Sequence, residues 1–200
     1  MKKIVLLSIV LLFALNACGG APAAGATSYI ATLEGAPASA RVGLVVENGR
    51  FAAYICSLDD AFNLTSARWY TGTVDENGGF QGVSSDGVAL RGTIDGSTIS
   101  GTVVNIEQVS MAFSGAAVAA GGPVGLYRGT GVYNGEDVLV GSVVDADGTF
   151  AATAQISDRF EFVSPIAAEP TRLSPSSIVV KIGPDEVEIT VNLVTTLVTE

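Results

Sequence analysis

Most of the chain after residue 40 alternates apolar and polar residues, with short turn signals between the alternating runs. The turn signals are Asn-Gly and Asp-Gly pairs, which tolerate the positive φ angles of tight hairpins. Six such pairs separate β-rich runs, at 48–49, 77–78, 86–87, 95–96, 134–135 and 147–148. The pattern predicts strands near 40–47, 51–57, 69–74, 80–84, 88–94, 98–104, 110–118, 124–133, 137–144 and 150–156.

Glycine recurs inside these predicted strands, at positions 72, 82, 92, 101, 129, 131 and 141. An interior glycine weakens a flat strand, but it relieves crowding where a sheet bends sharply. The turns at 77, 86 and 95 are evenly spaced, which favours short strands joined in sequence order. The predicted fold class is therefore all-β, an antiparallel meander that closes into a curved sheet or barrel.

The C-terminal part changes character at residues 164–177, where three prolines predict an extended connector. Beyond it, Val187, Ile189, Val191 and Leu193 alternate with polar residues after a turn at 183–185. One face of this C-terminal hairpin should be buried, and an uncovered apolar edge would invite aggregation, so we expect the hairpin to dock. Two arrangements stay open: it closes the main sheet, or residues 157–200 form a small annex.

Three phenylalanines, Phe51, Phe80 and Phe150, each stand two residues after a turn glycine. This weak internal repeat is compatible with a repeated ligand platform. The favoured interpretation is that each aromatic ring caps the core of its own hairpin.

The first residues form a separate segment, with Lys2 and Lys3 ahead of an apolar run that ends at Leu15. A bilayer span needs about 20 apolar residues, whereas the apolar region of a signal peptide needs only about 7–15. Residues 1–17 are therefore predicted to be a removable signal peptide.

The residues at the end of this segment, Leu15-Asn16-Ala17-Cys18, resemble the lipobox of bacterial lipoproteins, Leu-x-[Ala/Gly]-Cys. The resemblance implies that Cys18 receives a diacylglyceryl group and becomes the first residue of the mature chain. With further acyl chains such as palmitate, the lipid would hold the protein on the extracytoplasmic face of a bacterial cell envelope, because several chains bind a membrane far more firmly than one. Ordinary cleavage after Ala17 or near Ala24 would instead give a secreted protein.

Residues 18–28 carry no charge and no large apolar side chain before Tyr29, which predicts a flexible tether. The all-β domain is predicted over residues 29–200.

The composition restricts the chemistry that the chain can perform. Twenty acidic residues against ten basic ones disfavour nucleic acid as a partner. The absence of histidine excludes Ser-His-Asp and Cys-His catalysis and zinc sites that need imidazole. Cys56 shares a strand face with Ala52 and Tyr54 and is predicted to be a buried thiol; a bridge to Cys18 is conceivable only if Cys18 is not acylated.

Carboxylates cluster only in predicted turns, at Asp59, Asp60, Asp75, Glu76, Asp145 and Asp147. A carboxylate hydrolase needs two facing acids, one with a raised pKa, and solvent-exposed turns do not provide this. Asp145-x-Asp147-Gly148 and Asp75-x-Asn77-Gly78 resemble the opening of a calcium loop, but turn formation already accounts for both. No catalytic residue, metal site or cofactor is predicted.

Arg68, Trp69 and Tyr70 are the first candidates for ligand binding, because these residue types are enriched at recognition sites. Leu126, Tyr127 and Arg128 form a similar, second group.

From Arg41 to Gly131, the segments "ARVGLVVENGRFAAYIC", "ARWYTGTV", "GVALRGTIDGSTISGTV" and "GPVGLYRGTG" together resemble a β domain of secreted and anchored bacterial proteins that lacks an assigned activity. The leading functional hypothesis is a lipid-anchored extracytoplasmic β module with a structural or binding role, without enzymatic activity, whose partner is a cell-surface protein or glycan. The alternatives are a β-barrel that binds a small molecule or glycan, and a carboxylate-dependent hydrolase.

Overall fold

The computed structural model describes residues 25–156 and 159–197. The predicted signal peptide, Cys18 and most of the predicted tether lie outside the described residues. The described part is almost entirely β-structure with one short helix. Its elements are β1 (Thr27–Leu33), β2 (Arg41–Glu47), β3 (Arg50–Cys56), α1 (Asp60–Ser66), β4 (Arg68–Val74), β5 (Gly79–Val83), β6 (Ala89–Asp95), β7 (Thr98–Val104), β8 (Ser110–Val118), β9 (Gly125–Tyr133), β10 (Glu136–Val144), β11 (Phe150–Ile156), β12 (Glu161–Val163), β13 (Thr171–Ser174), β14 (Ser177–Ile182) and β15 (Val187–Leu193).

Strands β1 to β8 form a closed antiparallel barrel in which every strand pairs with the next along the chain. The predicted all-β class and the closing meander are therefore confirmed. The barrel closes through β1, which pairs with β8 from Ser28 opposite Val118 to Leu33 opposite Phe113. Strand β1 was not among the predicted strands. It begins at Thr27, inside the segment expected to be tether, so residues 27 and 28 belong to the sheet.

The six predicted turns all join consecutive strands, but they are of different types. Only the turns at 48–49 and 134–135 have positive φ at both residues, as type I′ requires. At 78, 87 and 148 only the glycine has positive φ, and its N–H donates to the carbonyl three residues earlier. These three are type I turns followed by a glycine in the left-handed region, which is the common three-residue hairpin.

Large side chains fill the interior of the barrel, and aromatic rings lie against interior glycines. The ring of Phe51 covers Gly72 and Gly82, so a Cβ atom at Gly72 would lie 2.7 Å from Phe51 Cε1 and 2.1 Å from the carbonyl oxygen of Gln81. A side chain at Gly72 would therefore collide with the ring and with the neighbouring strand, which explains why glycine occupies this position. Phe51, Phe80 and Phe150 are all buried in the hydrophobic cores, as the core-capping interpretation requires.

Helix α1 closes one end of the barrel. The carboxylate of Asp59 accepts the N–H of Phe62 at 2.8 Å and caps the helix. Phe62 then inserts its ring among the barrel core residues. Helix α1 has no clear signal in the sequence, because seven residues are too few to display a helical hydrophobic period.

The remaining strands form a second, seven-stranded sheet in the order β12-β11-β10-β9-β15-β14-β13. The predicted C-terminal hairpin is present as β14 and β15, with Ile189 and Val191 buried. It docks on β9, where Asn192 lies opposite Arg128 and Leu193 opposite Tyr127, and so extends the second sheet instead of the barrel. The predicted connector contains β13, which pairs with β14.

The barrel and the second sheet pack together through a shared apolar layer. Its buried members are Ile30, Val45, Tyr54, Cys56, Leu126, Val143 and Ala151. The Tyr54 hydroxyl also hydrogen-bonds with the Thr153 hydroxyl across this interface. Within the described residues, no helix has the length and hydrophobicity needed to cross a membrane.

Candidate functional site

A groove of about 540 Å³ opens where the edge of this interface meets solvent; we call it the junction cleft. Strands β3 and β4 of the barrel form one wall, and β9 and β15 of the second sheet form the other. The residues after β15 run along its rim. The residues that line it include Arg50, Trp69, Thr71, Arg128, Thr130 and Asn192.

Only Trp69 of the first candidate group reaches this cleft. Side chains alternate across a strand, so Arg68 and Tyr70 point away from the face that carries Trp69. Arg68 is buried, donates its Nε–H to Asp86 at 2.7 Å, and holds its guanidinium 4.1 Å from the ring of Phe160. Tyr70 lies inside the barrel, where its hydroxyl has no hydrogen-bond partner among the described residues, and burial raises its pKa.

The second candidate group divides in the same way. Leu126 belongs to the layer between the barrel and the second sheet, whereas Tyr127 is buried in the second sheet and donates its hydroxyl to the Pro123 carbonyl at 2.8 Å. Arg128 is exposed and enters the junction cleft, with its Cζ 5.1 Å from the centroid of the Trp69 ring. Trp69 of the first candidate group and Arg128 of the second therefore contact each other across the cleft.

A stack of four residues supports this contact. The backbone of Gly141 lies against the ring of Tyr54, and that ring stacks on Trp69 with centroids 4.4 Å apart. Since Tyr54 covers one face of the indole, the Arg128 guanidinium lies over the other face. Tyr54 is fully buried and tied to Thr153, so the stack holds the Trp69 ring in a fixed position.

The Gly141→Ala variant tests this stack. A Cβ atom at Gly141 would lie 2.3 Å from Tyr54 Cε1, and the ring cannot retreat because Trp69 lies behind it. We expect a loss of about 1–3 kcal/mol in the free energy of unfolding. A shift in tryptophan emission should accompany it, since Trp69 is the only tryptophan.

The Gly122→Ala variant is the matched control, because its nearest neighbour to an added Cβ is the Ala119 carbonyl oxygen at 3.5 Å. For this control we expect the free energy of unfolding to change by less than about 0.5 kcal/mol and the tryptophan emission to stay the same. Equal stability of the two variants in urea unfolding would contradict the packing described for Gly141.

The junction cleft is positively charged in an acidic protein. Among the described residues, no aspartate or glutamate lines it, and neither Arg50 nor Arg128 forms an ion pair. Glu47 lies opposite Arg50 in the β2–β3 hairpin, and its carboxylate accepts the N–H of Leu197, a lining residue, at 2.7 Å. Within the described residues, the cleft thus presents two guanidinium groups that no carboxylate pairs directly.

The turn carboxylates have structural partners. Asp59 caps α1, and Asp75 accepts the N–H groups of Asn77 and Gly79. Asp145 and Asp147, the candidate calcium ligands, both bind Arg41. In the described parts of the chain, no three acidic or cysteine side chains are grouped so that they could hold a metal ion.

Asp86 gives the fold a pH dependence. Burial alone would raise the pKa of Asp86, but hydrogen bonds from Ser84 and Arg68 outweigh it and hold the pKa below its ordinary value of 3.8. The ionised Asp86 carboxylate therefore stabilises the fold above pH 3.8, and this stabilisation is lost as the pH falls below 3.8 and the carboxylate is protonated. We expect the free energy of unfolding to fall less steeply with acidification in Asp86→Asn than in the wild type. Parallel curves in urea titrations on either side of pH 3.8 would contradict this.

Cys56 is buried, as predicted, and forms no disulfide within the described residues; burial raises the pKa of its thiol. Its neighbours on the same strand face include Tyr54, in agreement with the predicted alternation. The lipidation site predicted at Cys18 lies outside the described residues.

A second groove, of about 810 Å³, lies on the outer face of the barrel along β5 to β8. It is shallow, and its lining combines serine, threonine and glutamine with glycine and apolar residues. Arg91 shares it with Glu34 and Asp75, so charges of both signs are present. The junction cleft is the better candidate for an anionic ligand, because its charged lining residues, among those described, are both arginines.

Comparison with known proteins gives little similarity. No family model and no curated protein matches the chain. A solved structure of a Nitrosomonas europaea protein, provisionally named ATTH, aligns with 80% of this chain and 76% of that one at 9% identity and a TM-score of 0.22. A TM-score of this size does not establish a common fold.

Proposed function

We propose that this protein is a lipid-anchored extracytoplasmic β module that binds a ligand in the junction cleft. The observation that carries the binding role is the meeting of Trp69 and Arg128, held in place by Tyr54, at a groove whose charged lining residues, among those described, are both arginines. Such a groove is within the volume range of small-molecule sites. The anchor rests on the resemblance of residues 15–18 to a lipobox.

The anchor is tested by the intact mass of protein from the membrane fraction of expressing bacteria, for wild type and Cys18→Ala. We expect a diacylglyceryl increment that is lost in the variant. After denaturation the wild type should show one free thiol, Cys56, because acylation blocks Cys18. Two reduced thiols, or a Cys18–Cys56 bridge, together with an unmodified mass would contradict the anchor.

The binding role is tested separately through Trp69, which is the only tryptophan and lines the cleft. We expect a saturable change in tryptophan emission when full-length protein is titrated with some members of a panel of neutral and acidic oligosaccharides. No response from the whole panel, with a Trp69 environment that still responds to unfolding, would contradict a ligand site in the cleft for this class of molecule.

A further inference from the structure

We infer that the junction cleft recognises an anionic sugar, with the negative group bound by Arg128 and Arg50 and the sugar hydroxyls by the surrounding threonine and asparagine side chains. This inference rests on the proposed function and specifies its ligand class.

The arrangement of Trp69 argues against recognition of a neutral sugar on the indole. A sugar platform needs an open aromatic face, and here Tyr54 occupies one face and Arg128 lies over the other. A guanidinium stacked on a ring keeps its N–H groups in its own plane, where they are free to bind an acceptor. The group that this contact presents to a ligand is therefore Arg128 and not an open face of the indole.

The stack also prepares Arg128 for binding. An arginine in solvent loses side-chain entropy when it binds, whereas a guanidinium already placed by a cation–π contact loses less. Planar arginine groups bind carboxylate and phosphate oxygens through paired, charge-assisted hydrogen bonds. Arg50 adds a second positive charge from the barrel wall of the same cleft.

The remaining lining favours a hydroxylated ligand over a simple inorganic anion. Thr71 on β4, Thr130 on β9 and Asn192 on β15 are all exposed, and they line the walls of the cleft. Hydroxyl and amide groups both donate and accept hydrogen bonds, so they match the mixed demands of sugar hydroxyls. A volume of about 540 Å³ accommodates one or a few sugar units.

The test compares galacturonate trisaccharide, its neutral methyl ester and glucose 6-phosphate as probes of the full-length protein. Because Arg128 itself lies over the reporter ring, affinities of variants are measured by titration calorimetry. We expect binding of at least one anionic probe, no binding of the methyl ester, and weakening as salt concentration rises. Arg128→Gln should weaken binding about tenfold or more, since it removes charge-assisted hydrogen bonds.

Arg91→Gln is the matched control, because Arg91 is exposed on the barrel but lies in the other groove. The Arg91→Gln variant should bind the anionic probes with an affinity within about twofold of the wild type, since long-range effects of an exposed charge are screened. A response to only one of the two anionic probes supports the inference and identifies the anion. Equal binding of the methyl ester, or no effect of Arg128→Gln, overturns the inference while leaving the cleft as a ligand site. If no probe, charged or neutral, binds, the inference and the proposed binding role are both overturned.

Discussion

Replacing Phe80 by alanine is expected to lower the free energy of unfolding by about 3–5 kcal/mol, the usual range for removing a buried aromatic ring. Phe80 fills the centre of the barrel, with its ring 5.2 Å from that of Phe51 and 6.4 Å from that of Phe113. The cavity cannot collapse easily, because the adjoining wall at Gly92 has no side chain to fill it and its backbone is fixed by the pairing of β6 with β7. A fall in Tm on the order of 10 °C should follow.

Val132→Ala is the control, because Val132 lies on a strand but is 57% exposed. Its unfolding free energy should change by no more than about 0.5 kcal/mol. A loss below about 1 kcal/mol for Phe80→Ala in urea unfolding would show that the barrel interior is not the tightly filled core described above.

Replacing Arg41 by methionine is expected to lower the free energy of unfolding by about 3 kcal/mol, because it leaves the partly buried carboxylate of Asp145 without its partner. Arg41 donates to Asp145 at 2.7 Å and to Asp147 at 3.2 Å, and also binds the carbonyl oxygens of Ala38 and Ala40. It joins the start of β2 in the barrel to the β10–β11 turn of the second sheet. Methionine restores the apolar volume but none of these four hydrogen bonds.

Arg159→Met provides the comparison, since Arg159 binds Glu136 at the same 2.7 Å but both side chains are about half exposed. An exposed pair contributes only about 0–1 kcal/mol. Adding Asp145→Asn to Arg41→Met should recover part of the loss, because it removes the unpaired charge. The explanation would be wrong if Arg41→Met cost no more than Arg159→Met.

Local sequence signals were sufficient to predict the turns and most strands. Asn-Gly and Asp-Gly pairs mark chain reversals through backbone preferences of the residues themselves, and alternation identifies the buried face of each strand. The strands at 98–104, 110–118 and 150–156 are found within the predicted bounds. Strand β1 was not predicted, because its inward residues, Tyr29, Ala31 and Leu33, directly follow a stretch of small residues that has no strand pattern.

The candidate site could be predicted only in part. Trp69 lies in the junction cleft, whereas its neighbours Arg68 and Tyr70 lie on the opposite strand face. Strand alternation alone separates the side chains of adjacent residues in this way. The contact with Arg128 was not predictable, since it depends on how the second sheet sits against the barrel.

The sequence by itself determined the all-β class, the hairpin positions and the burial of Cys56, because each depends on residues close together in the chain. Only the tertiary structure decided that the strands divide into a barrel and a second sheet, that Arg41 takes the carboxylates of the apparent calcium loop, and that Trp69 and Arg128 share a cleft. These features depend on side-chain packing between strands far apart in sequence, where no local preference of the chain acts.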